Sequence, residues 1–372
     1  MRKLLLVLAV AGVGVVSVRA QTPESGEKIE TEEIRISISA TGRDGQIVCD
    51  LKREDLVVTE DGRLHQLSSL SFTPASVMIA LDTGGALREK KNINTTREIA
   101  SSIVGNLSPE ASISLMHFSD GAELLAGWTK DRPELLRIIN NKTKFGRRSS
   151  FTQAIAAARK YFKETPVANP HLVLVTDGMD SPASADERAT AIRELWASGI
   201  VVHVISWTVM ESGGAKSHDR VWRKGEHEPN RMPEEVLDSL VAAIPLRRVI
   251  AQDILRNIYS PRLFSIVTDL PFLRSQREHK HALSMNEIQL SALAMHTGGD
   301  FLLPETLAEI VENAAAVARS INHQYVATYS PKRPLKDVAE DEIRSIEITS
   351  RRSDAYIRSS RKLVVFGPKK PE

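Results

Sequence analysis

The chain has 372 residues, 42% of them hydrophobic and 26% charged, so it carries enough apolar material for about two packed domains and is not a disordered chain. Lys and Arg total 49 against 47 Asp and Glu, a balance of +2 that lacks the basic excess of a nucleic-acid-binding surface. Cys49 is the only cysteine, which excludes an internal disulfide framework and a cysteine-based zinc cluster.

Arg2 and Lys3 precede an apolar run from Leu4 to Val18, and Val18-Arg19-Ala20 leads into the polar Gln21-Thr22-Pro23-Glu24. This order describes a secretory signal peptide cleaved after Ala20, and the apolar run is short of the ~20 residues of a spanning helix. Loss of Arg2, Lys3 and Arg19 leaves 46 basic residues against 47 acidic, a nearly neutral exported chain. The expected location is therefore secreted or periplasmic, with no transmembrane segment after cleavage. Cys49 follows Gln46-Ile47-Val48 and is expected to be a quiet buried residue.

Residues 21–32 are polar and acidic, as in a linker. Ile34, Ile36 and Ile38 alternate with polar residues, the period of a half-buried strand. Strands are also expected over 56–59 and 64–72, separated by the Asp61-Gly62 hairpin signal. This N-terminal segment, 33–74, is too small for a core of its own. From residue 76 the pattern changes. Ser76 to Leu81, Leu172 to Val175 and Ile200 to Trp207 are mostly apolar runs, as expected of strands covered on both faces. Ile113 to Phe118 adds a strand and Ala122 to Trp128 an edge strand. Helices are expected around 99–104, 133–139, 151–162, 185–197, 288–296 and 307–321, with Gly298-Gly299 as a stop. Alternating strands and helices predict an α/β fold with a mostly parallel sheet. Residues 208–285 read as an insertion, polar at its start and charged at its end. Strands return over 325–329, 343–348 and 356–365.

Ligands of open α/β sheets bind beyond the carboxyl ends of the strands. Two apolar strands end in aspartate, Asp82 and Asp177, and Arg147-Arg148-Ser149-Ser150 precedes the helix that starts at Phe151. Two carboxylates and a hydroxyl at one rim suit a hard cation such as Mg²⁺. The arrangement resembles the von Willebrand factor type A domain. Its metal-ion-dependent adhesion site uses Asp-x-Ser-x-Ser after the first strand, a threonine before a helix and an aspartate after the fourth strand. The matching positions are Asp82-Thr83-Gly84-Gly85-Ala86, Ser149 and Asp177, with Ser150 or Thr152 in place of Ser149 if the register slips. Gly84 and Ala86 replace both serines, which removes two hydroxyl ligands.

The resemblance implies a degenerate metal site of Asp82, Ser149 and Asp177, with weak Mg²⁺ (or Mn²⁺ or Ca²⁺) binding or none. It implies a Rossmann-like domain over about 75–322, and residues 33–72, together with Thr297-Gly298-Gly299 and His323 to Ser330, resemble the exported bacterial VWFA-related group. The segments 33–74 and 323–372 are expected to pair into one β-sandwich. The function implied is non-enzymatic: capture of a protein partner, with no role for nucleic acid, through loops containing Thr83, Gly85, Ser150, Gly178 and Asp180. The alternatives are an envelope hydrolase using Asp82 and Asp177, and a purely structural envelope subunit. The sequence carries no Gly-x-Ser-x-Gly elbow and no phosphate-binding glycine loop. His279-Lys280-His281 is expected to be a solvated charged loop rather than a metal site.

Overall fold

The computed structural model describes residues 32–44, 46–84, 93–180, 184–210, 270–333, 335 and 342–365. The expected signal peptide, the expected linker up to residue 31 and most of the expected 208–285 insertion lie outside them.

The central sheet has six strands. In chain order they are β5 (Ser76–Asp82), β6 (Ser112–Phe118), β7 (Ala122–Thr129), β8 (Pro170–Thr176), β9 (Val201–Ser206) and β10 (Phe301–Leu302). Their spatial order is β10-β9-β8-β5-β6-β7, all parallel except the β6–β7 pair. β5 is therefore interior, and its residues Val77 to Asp82 are buried on both faces.

Alternation divides that burial between two layers. Val77, Ile79 and Leu81 pack with α1 (Ile93–Asn106), α2 (Arg132–Lys142) and α6 (Leu307–Asn322), while Met78 and Ala80 pack with α3 (Phe151–Glu164), α4 (Ala185–Trp196) and α5 (Leu270–Thr297). The helices show matching spacing: Ile99 and Ile103 in α1, Ala154, Ile155 and Ala158 in α3, and Ile310, Ala314, Val317 and Ile321 in α6 point inward. Asp131, Ser184 and Thr306 cap α2, α4 and α6 by accepting from the backbone N–H three residues on.

The remaining strands form two four-stranded antiparallel sheets. One has the order β13 (Ala355–Ser359), β1 (Ile34–Gly42), β11 (Tyr325–Tyr329), β4 (Leu67–Phe72). The other has the order β14 (Lys362–Val365), β12 (Glu342–Ser350), β2 (Leu56–Glu60), β3 (Arg63–His65). Each sheet draws strands from both ends of the chain, and one core of Ile36, Ile38, Val58, Tyr329, Ile346 and Ile348 lies between them. Neither terminal segment could bury this surface alone. The run from Leu64 to Phe72, expected as one strand, is divided at Gln66, with β3 in one sheet and β4 in the other.

Two expectations are corrected. α5 is 28 residues long and starts at Leu270, so the charged stretch around His279-Lys280-His281 is helical. Its inward-facing positions among the described side chains are Leu283, Leu290, Leu293 and Ala294, and the polar and charged residues before them carry no stripe that marks a helix. Cys49 is exposed rather than buried. The strand β1 ends at Gly42, and Cys49 falls in an irregular stretch whose apolar neighbours Ile47 and Val48 do not carry it into the core. Cys49 is therefore expected to react with a water-soluble maleimide in the folded protein as fast as in urea to within about tenfold, because exposure controls thiol access. Protection beyond that in mass-spectrometric labelling would contradict its placement.

Candidate functional site

β5 and β8 are hydrogen-bonded neighbours, with Leu81 opposite Val175, so Asp82 comes to rest beside Thr176 at one end of the sheet. Asp177 follows immediately. Asp82 is fully buried. Its Oδ1 accepts from the Gly84 N–H at 3.0 Å, and its Oδ2 accepts from the Thr176 hydroxyl at 2.8 Å. The Ser149 hydroxyl lies 3.1 Å from both oxygens. A carboxylate has about four acceptor directions. Here they are turned to donors of the protein itself.

The neighbouring loops are sewn to this cluster. The Thr83 N–H and hydroxyl both donate to the Phe118 carbonyl, at 2.9 and 3.2 Å, and the Gly146 N–H donates to the Thr83 carbonyl at 3.1 Å. The Thr176 hydroxyl accepts from the Gly178 N–H, and Asp177 Oδ1 accepts from the Met179 N–H, both at 2.9 Å. Among the alternatives at 149, 150 and 152, the structure brings Ser149 to Asp82. Ser150 precedes α3 and pairs with Asp180 as an isolated β-bridge, and Thr152 donates through its N–H at 3.0 Å and its hydroxyl to Asp180. Gly85 and Ala86 lie outside the described residues.

Gly84 has a reason to be glycine that does not involve a ligand. A Cβ at this position would stand 1.7 Å from the Arg148 carbonyl oxygen and 2.9 Å from Ser149 Cα. The backbone of the 145–149 loop occupies the space where the first serine of an Asp-x-Ser-x-Ser motif would put its side chain. Asp120 holds that loop in place by accepting from the Arg147 and Arg148 N–H groups at 3.3 and 3.2 Å.

Positive charge is already supplied behind the rim. Arg188 of α4 is 8% exposed and donates to the Gly178 carbonyl at 2.7 Å, to Asn286 Oδ1 at 3.1 Å and to Gln289 Oε1 at 2.7 Å. Its guanidinium also lies 4.7 Å from the centre of the Phe151 ring. Burial lowers its pKa, and the charges of Asp180 and Asp177 oppose that shift. Asn286 in turn donates to the Asp177 carbonyl at 3.2 Å.

The residues at this edge do not fit a divalent cation. The Asp82 carboxylate is enclosed and saturated, the place of one serine ligand is filled by backbone, and Arg188 already lends positive charge to the Asp177 and Asp180 side. Among the described residues no three His, Cys, Asp or Glu side chains are grouped to hold a metal ion. The residues that complete the cluster, Thr176, Asp120, Arg188 and Asn286, escaped the sequence reading. Thr176 alone had a local signal, as a hydroxyl ending an apolar strand. Arg188 and Asn286 are 98 positions apart and nothing in their local sequence pairs them.

At the rim, Lys144, Arg147 and Arg148 are exposed. The side chains of these three residues make no hydrogen bond or ion pair among the described residues, although the Arg147 and Arg148 backbone is clamped. Among the described residues no helix is long and apolar enough to cross a membrane.

Residues 77–179 match the family model of the von Willebrand factor type A domain. That span starts in β5 and ends just past Asp177, so it contains Asp82, Ser149, Thr176 and Asp177. No curated protein matches the chain. Among solved structures the chain is similar to a von Willebrand factor type A protein from Catenulispora acidiphila, at 10% identity over 92% of this chain and 76% of that one, TM-score 0.42. It is similar to an aerotolerance-related membrane protein from Bacteroides fragilis, at 16% identity over 67% of this chain and 99% of that one, TM-score 0.39. It is also similar to the conserved hypothetical protein BatB from Bacteroides thetaiotaomicron, at 18% identity and TM-score 0.31, over 36% of this chain and 66% of that one.

Proposed function

Since the chain carries a von Willebrand factor type A domain, we propose that it is an exported, non-enzymatic binding module that captures a protein partner through the loops at the carboxyl edge of its sheet, without a metal ion. The observation that carries this reading is the contrast at that edge. The acidic cluster around Asp82 is closed on itself, while the side chains of Lys144, Arg147 and Arg148 stand free, those of Arg147 and Arg148 on a backbone fixed by Asp120. A fixed backbone with free cationic side chains loses little order on binding and favours an acidic partner surface. Thr83, Ser150 and Gly178 are themselves buried in the supporting loops, and Asp180 is half-buried.

The test pairs capture with metal titration. The full chain is used as bait in envelope extracts, beside the double variant Arg147→Glu, Arg148→Glu, with and without EDTA. Like charges facing each other cost several kcal/mol, so the variant is expected to lose at least about tenfold in capture. EDTA is expected to change nothing, and calorimetry with Mg²⁺ and Mn²⁺ to give no binding isotherm. Capture abolished by EDTA would overturn the metal-free reading. A measured turnover that vanishes in Asp82→Asn would replace the binding module with an enzyme.

A further inference from the structure

A helix at the surface of a domain normally backs its buried stripe with a charged outer face. α5 departs from that pattern. Leu283, Leu290, Leu293 and Ala294 are buried, and on the opposite side Met285, Ile288, Ala292 and Met295 recur at steps of three and four residues. Ile288 is 61% exposed, Met295 50% and Met285 44%. Over residues 284–296 the one charged side chain is Glu287, which turns aside to accept from the Thr208 hydroxyl at 3.1 Å. The outer face of this stretch is thus apolar and uncharged over about 15 Å, at 1.5 Å per residue.

Positive charge collects at the C-terminal end of the stripe. The Arg361 N–H and the Ser360 hydroxyl donate to the His296 carbonyl at 3.2 and 2.9 Å, which brings the link between β13 and β14 onto the end of α5. α4 lies beside β14 there, and its Trp196 meets the His296 ring edge-on at 5.2 Å. Burial, reinforced by Lys362 and Arg361, holds the His296 imidazole below its usual range. The ring is neutral at about pH 7, and the charge at this end comes from its two neighbours. Among the described residues the side chains of Arg361 and Lys362 make no hydrogen bond or ion pair. Neither does that of Arg193, exposed on α4 one turn before Trp196, whose neighbour Glu194 is taken by Arg159.

We propose that this face of α5, with Arg193, Arg361 and Lys362 at its end, docks the protein on an anionic lipid surface, with Met285, Ile288 and Met295 entering the apolar layer and the cations meeting lipid phosphates. Two features favour lipid over protein. Cations without counter-ions beside an uncharged apolar stripe match a charged headgroup layer over hydrocarbon, the division that holds amphipathic helices at membrane surfaces. A helix face of about 15 Å by 10 Å also falls far short of the roughly 800 Å² per partner of a stable protein interface. The docking cations and the capture rim stand at opposite ends of the sheet. α5 ends beside the start of β9, where the Val202 N–H donates to the Thr297 hydroxyl at 3.0 Å, whereas Lys144, Arg147 and Arg148 stand at the carboxyl edge.

The test reads the stripe directly. The full chain carrying Cys49→Ser and Ile288→Cys is labelled with an environment-sensitive nitrobenzoxadiazole dye, beside the unmodified chain labelled at Cys49, its one cysteine. Vesicles of phosphatidylcholine with about one-third phosphatidylglycerol are titrated in, with pure phosphatidylcholine vesicles for comparison. The dye at position 288 is expected to shift to the blue and brighten at least about threefold with the anionic vesicles and to change little with the neutral ones, while the dye at Cys49 stays unchanged. Arg361→Glu with Lys362→Glu should raise the lipid needed for the response at 288 by at least about tenfold, because each basic residue near an anionic surface strengthens binding severalfold and this change reverses two. Arg147→Glu with Arg148→Glu should leave it within about twofold, since charges more than a Debye length from the surface are screened. No response at 288, an equal response to neutral vesicles, insensitivity to the change at 361 and 362, or loss of the response in the rim variant overturns the docking face. So does a dye at 288 that is already blue-shifted without lipid: a dimer in analytical ultracentrifugation would then mean that a second copy covers the stripe, and a monomer that another part of the chain does.

Discussion

Gly84→Ser, the change that would give back the first missing hydroxyl of the Asp-x-Ser-x-Ser motif, is expected to destabilise the domain and to confer no Mg²⁺ affinity. The added Cβ would meet the Arg148 carbonyl oxygen at 1.7 Å. The atom in the way is backbone, and it is pinned on two sides by Asp120 and by the Gly146 N–H bond to the Thr83 carbonyl. Relief requires the 145–149 loop to lift, which would carry Ser149 away from Asp82 and strip a donor from a buried carboxylate. Overpacking of this kind costs about 1–3 kcal/mol, and loss of a donor to a buried charge adds about 1–3 kcal/mol. Urea unfolding of Gly84→Ser, with calorimetry in Mg²⁺, checks both halves. A variant as stable as the parent that binds Mg²⁺ would mean that the loop yields readily, and that the metal site was lost only through its side chains. Gly84→Ala separates the effects, since it brings the clash without a hydroxyl and is expected to cost nearly as much.

Arg344→Ala, inside the β-sandwich, is expected to be as damaging. Arg344 is 1% exposed and Glu60 3% exposed, and they pair at 2.9 Å inside the β-sandwich. The other oxygen of Glu60 accepts from the Tyr329 hydroxyl at 3.1 Å, and His65 lies 3.8 Å away. Burial together with the charge and hydrogen bond of Glu60 pushes the Tyr329 hydroxyl well above its ordinary value, so it stays a donor at all working pH. Arg333 joins the cluster at 3.7 Å from Glu60, but its side chain is 37% exposed and it also serves Asp61 and Glu342. Removing Arg344 leaves Glu60 buried without its main counter-charge, a loss of about 3–5 kcal/mol. The paired replacement Glu60→Leu, Arg344→Leu removes both charges and is expected to recover most of that loss. Denaturant unfolding of the single and double variants decides. A single variant within about 1 kcal/mol of the parent would mean that Arg333 alone neutralises Glu60.

Several features of the molecule were legible before any coordinate. The continuous apolar runs ending in Asp82 and Thr176 announced strands buried on both faces, and the alternating Ile34, Ile36 and Ile38 announced a half-buried one. The helices with repeated three- and four-residue spacing, such as α3 and α6, were equally plain. The rim position of Asp82 and Asp177 followed from strand polarity alone. These features are local, because periodicity records which face of an element is buried.

Periodicity does not record what covers that face. That the two incomplete terminal segments share a core was expected from their size, but only tertiary structure decided that β1 pairs with both β11 and β13, across about three hundred residues. Thr297-Gly298-Gly299 reads as a helix stop, and Gly298 meets that role with its positive φ. Gly299 is required for another reason, since a Cβ there would stand 2.0 Å from the Val202 carbonyl oxygen of β9. Gly84 repeats the lesson at the candidate site. In sequence it is a missing ligand, and in space it is the floor on which the Arg148 backbone rests. Hydrogen bonds and close contacts act over a few ångströms regardless of chain separation, so the saturation of Asp82 and the placement of Arg188 were settled by folding and had no local pattern to betray them.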